Sequence, residues 1–224
     1  MPQNRRVPQI IIGVIGAVAL LLFGAAGGML LGDASSDESQ QQAQQPTAVD
    51  VGFAQDMSLH HQQAVTMATL ARERATTVEV RQLAFDIETN QRNQIGRMQG
   101  WLSLWDRPGH PDGPLMQWMK SGHDHGEHAT TPMATGGALM PGMATSEEMS
   151  RLQATSGPEF DVYFLQLMLR HHRGGAPMAK SGAAHAGVPA VRALADNMLG
   201  SQGSEMKLMT TMLEQRGAKP LPMS

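Results

Sequence analysis

The 224-residue sequence contains no cysteine. Disulfides, thiolate metal ligands and thiol nucleophiles are excluded together. Any soft-metal chemistry must therefore come from methionine and histidine. Aromatic residues make up only 4% of the chain and charged residues 17%, and this scarcity of strand-forming aromatics favours helix over sheet. The formal net charge of −3 leaves no basic footprint for a nucleic acid. Methionine is in excess, with 18 residues beside 9 histidines, more thioether than core gap-filling usually takes.

One long apolar run is present. Arg5 and Arg6 precede Ile10 to Gly32, a stretch broken by no charge. A membrane span needs about 20 apolar residues and a signal-peptide core about 7–15, so residues 1–32 read as a signal anchor. A signal peptide cleaved near Ala34 is the alternative. The arginines place the N-terminus in the cytoplasm and the rest outside it, so the expected location is extracytoplasmic, anchored or secreted. Residues 33–46, DASSDESQQQAQQP, are polar and repetitive, which is the composition of a flexible linker. About 175 residues remain, enough for one domain over 47–217.

That domain contains an internal repeat. A shift of 111 residues aligns 50–102 with 161–213 without a gap, and about a third of the positions are identical. Asp50, Phe53, Gln55, Met57, His60, His61 and Met67 meet Asp161, Phe164, Gln166, Met168, His171, His172 and Met178. Val80, Arg81, Leu83, Gln91 and Met98 meet Val191, Arg192, Leu194, Gln202 and Met209. Repeat 1 covers about 50–103, repeat 2 about 158–214, and 104–157 connects them. Apolar steps of three and four in each repeat predict two helices per unit. Thr47 with Asp50, Thr76 with Glu79, Ser156 with Glu159 and Thr145 with Glu148 read as capping pairs at helix starts. Gly174, Gly175 and Pro177 predict a kink after the second histidine pair. Two such hairpins make a four-helix bundle. Apart from a short helix at Thr145, the connection reads as irregular or mobile. Trp101, Trp105 and Trp118 read as packing that closes one end of the bundle.

Each repeat carries Met-x-x-His-His-x-x-x-x-x-Met. Met57 and His60 share a helix face, as do Met168 and His171, close enough to grip one ion, with Met67 and Met178 about two turns further on. Imidazole nitrogen with thioether sulfur suits copper, above all Cu(I), in preference to zinc or iron. His61 and His172 are alternates in the ligand set. A buried methionine can also be packing and a buried histidine merely hydrogen-bonded, but the recurrence of the same residues in both copies favours metal. Reflection about each hairpin turn puts His60 level with Gln91 and His171 level with Gln202, so these glutamines are candidate supports for the imidazoles. A di-iron site would need Glu-x-x-His pairs. Here Met57 and Met168 fill that slot, and Glu205, whose repeat mate is Gln94, is the one well-placed carboxylate. His123, His125 and His128 form a short tract able to bind Cu(II), zinc or nickel without selectivity.

These motifs, with Met140-Pro141-Gly142-Met143 between them, resemble the bacterial domain-of-unknown-function family 305 over about 50–216. The resemblance implies a ferritin-like bundle, exported, with some members linked to copper binding and no catalytic activity implied. Gly174-Gly175-Ala176-Pro177 departs from the helix-friendly run expected after the second histidine pair. The expectation is thus an all-α, ferritin-like four-helix bundle that binds or buffers copper outside the cytoplasm. A metal-free structural or envelope-stress interaction module and a metal-dependent redox enzyme are the alternatives. The expected partners are a metal ion and, through the N-terminal segment, the membrane; homo-oligomer formation is left open.

Overall fold

A computed structural model describes residues 45–119 and 137–223. The N-terminal apolar segment, most of the linker and His123, His125 and His128 lie outside them. The helices are α1 (Ala48–Arg74), α2 (Val78–Leu104), α3 (Ser146–Ala154), α4 (Gly157–His185) and α5 (Pro189–Gln215), with a 3-10 turn at Gln117–Met119. Among the described residues the fold is all-α without strands, and no helix is long and apolar enough to cross a membrane.

The helix starts follow local chemistry. At α1 the Thr47 hydroxyl accepts from the Asp50 N–H, while the Thr47 N–H donates to Asp50 Oδ2 at 2.8 Å. Thr145 and Glu148 form the same reciprocal pair at α3. The pair expected at α2 does not form: Thr77 is the N-cap but makes no side-chain cap bond. Both threonine hydroxyls are drawn instead to Asp161 of the other hairpin, at 2.8 and 2.9 Å. Ser156 likewise takes the N-cap of α4 without a side-chain bond.

Two hairpins, α1–α2 and α4–α5, meet along α1 and α4. The burial pattern shows which helices are central. Residues of α1 and α4 are buried around most of the helix circumference, whereas α2 and α5 bury one stripe each. The central helices run antiparallel, because the start of each reaches the turn that ends the other. Asp161 Oδ1 accepts the Thr76 N–H at 2.8 Å, and Asp161 Oδ2 accepts the Thr77 N–H at 3.2 Å. Asp50 accepts the N–H groups of Gly187 and Val188 at 3.0 and 2.9 Å. Each aspartate therefore neutralises orphan donors at the head of a helix in the opposite hairpin. Other shared residues also act alike at the 111-residue spacing. Gln55 donates to the Pro108 carbonyl and Gln166 to that of Lys219. Arg81 donates to Ala75 and Arg192 to Ala186.

Much of the connection is not irregular filler. The Trp118 side chain packs edge-on against Phe53, with ring centroids 5.9 Å apart. Its indole N–H donates to buried Asp56 at 2.8 Å. Further along, Met140-Pro141-Gly142-Met143 forms a turn closed by the Met143 N–H donating to the Met140 carbonyl at 3.1 Å. Proline at its second position and Gly142 at φ +80° at its third are the type II requirements. Met140 and Met143 are buried, so apolar burial fixes a segment whose composition shows no helical period. Gln63 holds the next residue by two bonds, to the Ala144 N–H and carbonyl, at 2.7 and 2.9 Å. On the other side the turn lies on bare backbone, since a Cβ at Gly174 would sit 2.0 Å from the Pro141 carbonyl oxygen. Gln63 and Gly174 occupy matching repeat positions. One turn must bind both helices, so the two positions differ, which gives the glycine departure in repeat 2 a physical reason. Helix α4 continues through Pro177 to His185.

The reciprocal aspartates make a strong demand on stability. Asp161→Ala removes four hydrogen bonds to one carboxylate and strands two N–H groups, so it should cost at least about 2 kcal/mol. Asp50→Ala should behave similarly. Urea denaturation measures both, and a loss below about 0.5 kcal/mol at either site would contradict the cross-capping.

Candidate metal centre

The histidine pairs lie halfway along the central helices, where antiparallel α1 and α4 bring matching residues face to face. The His60 and His171 rings are 3.8 Å apart between centroids, tilted by 37°. Each is 1% exposed, and His61 and His172 are fully buried. Room for the His60 ring comes from Gly175, where a Cβ would lie 2.9 Å from the His60 Cε1. The glycine pair of repeat 2 thus serves both the connection turn and the histidine layer.

Every one of the four imidazoles meets an acceptor at Nε2. His171 Nε2 is 3.1 Å from the His60 carbonyl oxygen, and His60 Nε2 is 3.4 Å from that of Pro141. His61 Nε2 is 2.7 Å from Gln94 Oε1, and His172 Nε2 is 2.6 Å from Glu205 Oε2. A carbonyl or carboxylate oxygen can only accept, so each Nε2 carries the proton and donates, with the Gln94 amide oriented by that bond. In a neutral ring the lone pair is then on Nδ1. The Nδ1 atoms of His60, His61 and His172 are buried without a hydrogen-bond partner. A fixed N–H on one side and a free lone pair on the other is the arrangement of a metal-ligating imidazole.

Burial keeps His60, His61 and His171 uncharged. Desolvation is the main cause that lowers His60 to about 4, with the nearby His172 adding to it and the Pro141 bond opposing it. Desolvation likewise takes His61 to about 3, helped by His60 and opposed by Gln94. His171 lies well below its ordinary value, first through burial and then through the other three histidines. At neutral pH the interior therefore offers neutral nitrogen donors.

The thioethers flank this layer. Met57, Met67, Met168 and Met178 are fully buried. Met57 and Met178 share one core cluster, and Met67 and Met168 share the other. Each cluster therefore mixes both repeats, because antiparallel packing sets the start of one motif beside the end of the other. The first cluster also holds Met98, Met116, Met119, Met140, Met143 and Met198, four of them from the connection. The expected supports sit differently. The buried Gln91 amide has no hydrogen-bond partner, and the cross-hairpin bonds go instead from His61 to Gln94 and from His172 to Glu205. The identical spacing of 33 residues in both pairs was the available signal. Among the described residues, no three His, Cys, Asp or Glu side chains are grouped to hold an ion by themselves.

Fold and centre together define an all-helical protein with a closed interior of imidazole and thioether. The sequence profile of the domain of unknown function DUF305 matches residues 50–213, and the chain belongs to that family. A DUF305 protein from Streptomyces coelicolor, described as secreted, shares 44% identity and superposes with a TM-score of 0.68, over 78% of this chain and 97% of that one. A DUF305 fragment from Deinococcus radiodurans shares 29% identity at a TM-score of 0.59, over 76% of this chain and 98% of the fragment. The Cu(II)-bound form of CopM shares 26% identity at a TM-score of 0.55, over 74% and 96%. No curated protein matches the chain significantly.

The buried histidines set an acid limit. A base whose pKa falls on folding takes up its proton more readily when unfolded, so its stabilising contribution is whole above about 6.5 and declines as pH falls toward 4. Each such histidine contributes a slope of up to about 1.4 kcal/mol per pH unit. Asp56, which burial shifts upward, works in the opposite sense. Denaturant melts of the metal-free protein should lose stability steadily between pH 6.5 and 5. A flat profile across that window would contradict neutral burial.

Proposed function

We propose that this chain is an extracytoplasmic copper-binding protein, a buffer or carrier of soft metal rather than an enzyme, built on a ferritin-like bundle formed by duplication of one hairpin. The observation that carries the reading is the layer of four buried imidazoles with Nε2 tied to acceptors and, in His60, His61 and His172, Nδ1 without a hydrogen-bond partner, set between thioether clusters. The favoured ligands are Met57, His60, His61, Met67, Met168, His171, His172 and Met178. Because carboxylates and imidazoles alone do not form a group of three, an ion held here draws on sulfur as well, which selects Cu(I) or Ag(I) over zinc or iron. The Cu(II)-bound form of CopM, similar in fold, supports copper as the metal. The Streptomyces relative described as secreted supports a place outside the cytoplasm. The N-terminal apolar run would put the domain there, either retained as an anchor or removed as a signal peptide.

One competing reading has an observation in its favour. The His60 and His171 rings already contact each other, and each has an acceptor at Nε2. The histidine layer would then be packing alone, in a metal-free interaction module.

A thermal melt with and without metal separates the two readings. Ag(I), or Cu(I) under reductant, should raise Tm, because a ligand bound only by the native state stabilises it. Changing both Met57 and Met168 to leucine conserves volume and should cost less than about 1.5 kcal/mol per site in core stability. That variant should stay folded yet lose most of the Ag(I)-induced shift. If it keeps the full shift, or if the parent shows none, the layer is packing.

A further inference from the structure

The connection between the hairpins carries four buried methionines that neither repeat supplies and the histidine layer does not use. They come as two Met-x-x-Met turns, Met116–Met119 and Met140–Met143, each closed by the last N–H donating to the first carbonyl, at 3.2 and 3.1 Å. Helix α1 holds the two turns beside each other. Asp56 Oδ2 accepts the Met116 N–H at 2.7 Å, and His60 Nε2 lies 3.4 Å from the Pro141 carbonyl oxygen. Asp56 and His60 are four residues apart, so the two turns dock one helical turn apart on one face of α1. All four methionine side chains belong to one core cluster. Thioethers packed together are ordinary core material, but the carboxylate among them is not. Asp56 is 1% exposed, and its Oδ1 has no hydrogen-bond partner. The two groups that Oδ2 accepts from, the Met116 N–H and the Trp118 indole N–H, are both neutral. Met116, at a φ of +63° that a residue other than glycine rarely adopts, is held by that bond. A buried carboxylate facing only neutral donors is costly, and it suits a partner of single positive charge. Thioether ligands are neutral and soft, so they favour Cu(I) or Ag(I). One carboxylate balances the charge of such an ion and leaves that of a divalent ion half compensated.

We propose that the connection forms a second soft-metal site, separate from the histidine layer, in which the thioethers of Met116, Met119, Met140 and Met143 hold one Cu(I) or Ag(I) and Asp56 supplies the counter-charge. This rests on the soft-metal reading of the bundle and extends it to a segment that lies outside both repeats, so the site occurs once per chain. Asp56 is a positioning residue, acting through its charge and its hold on Met116.

The test counts Ag(I) equivalents by native mass spectrometry and competition titration in full-length parent, Met57→Leu/Met168→Leu, Met119→Leu/Met143→Leu and Asp56→Asn proteins. Melts of the metal-free proteins provide the control for folding. Met119→Leu/Met143→Leu takes one thioether from each turn at nearly constant volume and should lose one Ag(I) equivalent. Met57→Leu/Met168→Leu should keep that equivalent, and its X-ray absorption spectrum with one Cu(I) should show sulfur ligands without imidazole nitrogen. Asp56→Asn, nearly isosteric, should weaken the same equivalent by about ten-fold or more, and it tests the site even if the double variant folds poorly. An unchanged Ag(I) count in Met119→Leu/Met143→Leu, nitrogen ligands in the spectrum, or unaltered affinity in Asp56→Asn would each overturn the second site while leaving the histidine layer's reading intact. A parent that binds no Ag(I) would sink both.

Discussion

The contact on which the rest of the structure depends is the stacking of His60 on His171 where α1 crosses α4. Two imidazoles 3.8 Å apart in a dry interior need neutral rings, acceptors for both N–H groups and room for two planar side chains. Neutrality follows from burial. Backbone supplies the acceptors, since His171 uses the carbonyl of His60 and His60 that of Pro141. Room comes from Gly175. Once matching residues of two antiparallel helices touch, the remainder of the bundle is nearly determined. The helix starts must fall beside the opposite turns, where Asp50 and Asp161 cap them, and the methionines of one motif must fall beside those of the other.

That geometry changes what the repeated motif means. Along the sequence each motif looks like a self-contained half-site. In the fold each thioether cluster draws on both repeats, and His171 rests on the backbone of His60. The connection joins the same arrangement, because the Met140–Met143 turn provides the acceptor for His60 and is clamped by Gln63 on one helix and seated on Gly174 of the other. The likeness of the two hairpins is broken where a single turn crosses between them.

The helical architecture and the inward face of the central helices were legible because they are local. Three- and four-residue spacing, the Thr47–Asp50 pair and the Thr145–Glu148 pair need only near neighbours. The partners of the histidines were not legible by reflection about the hairpin turns. Consecutive residues point about 100° apart around a helix. His60 therefore faces α4, and its neighbour His61 faces α2, where it meets Gln94 rather than Gln91. The burial of Met140 and Met143 was hidden for another reason: a turn can fill a core gap without any hydrophobic period to announce it. Gly174 and Gly175 looked like helix breakers, whereas their use is close approach, which depends on what lies opposite.

The central claim is that the neutral imidazoles of His60, His61 and His171 hold their protons on Nε2 and offer Nδ1 lone pairs inside the bundle. Nitrogen-15 NMR of the histidine side chains, recorded near neutral pH before and after one equivalent of Ag(I), reads it directly. The account predicts neutral Nε2–H tautomers for His60, His61 and His171 in the metal-free protein, followed by displacement of Nδ1 resonances of this set on Ag(I). Charged rings, Nδ1–H tautomers, or a response confined to histidines outside the bundle interior would contradict it.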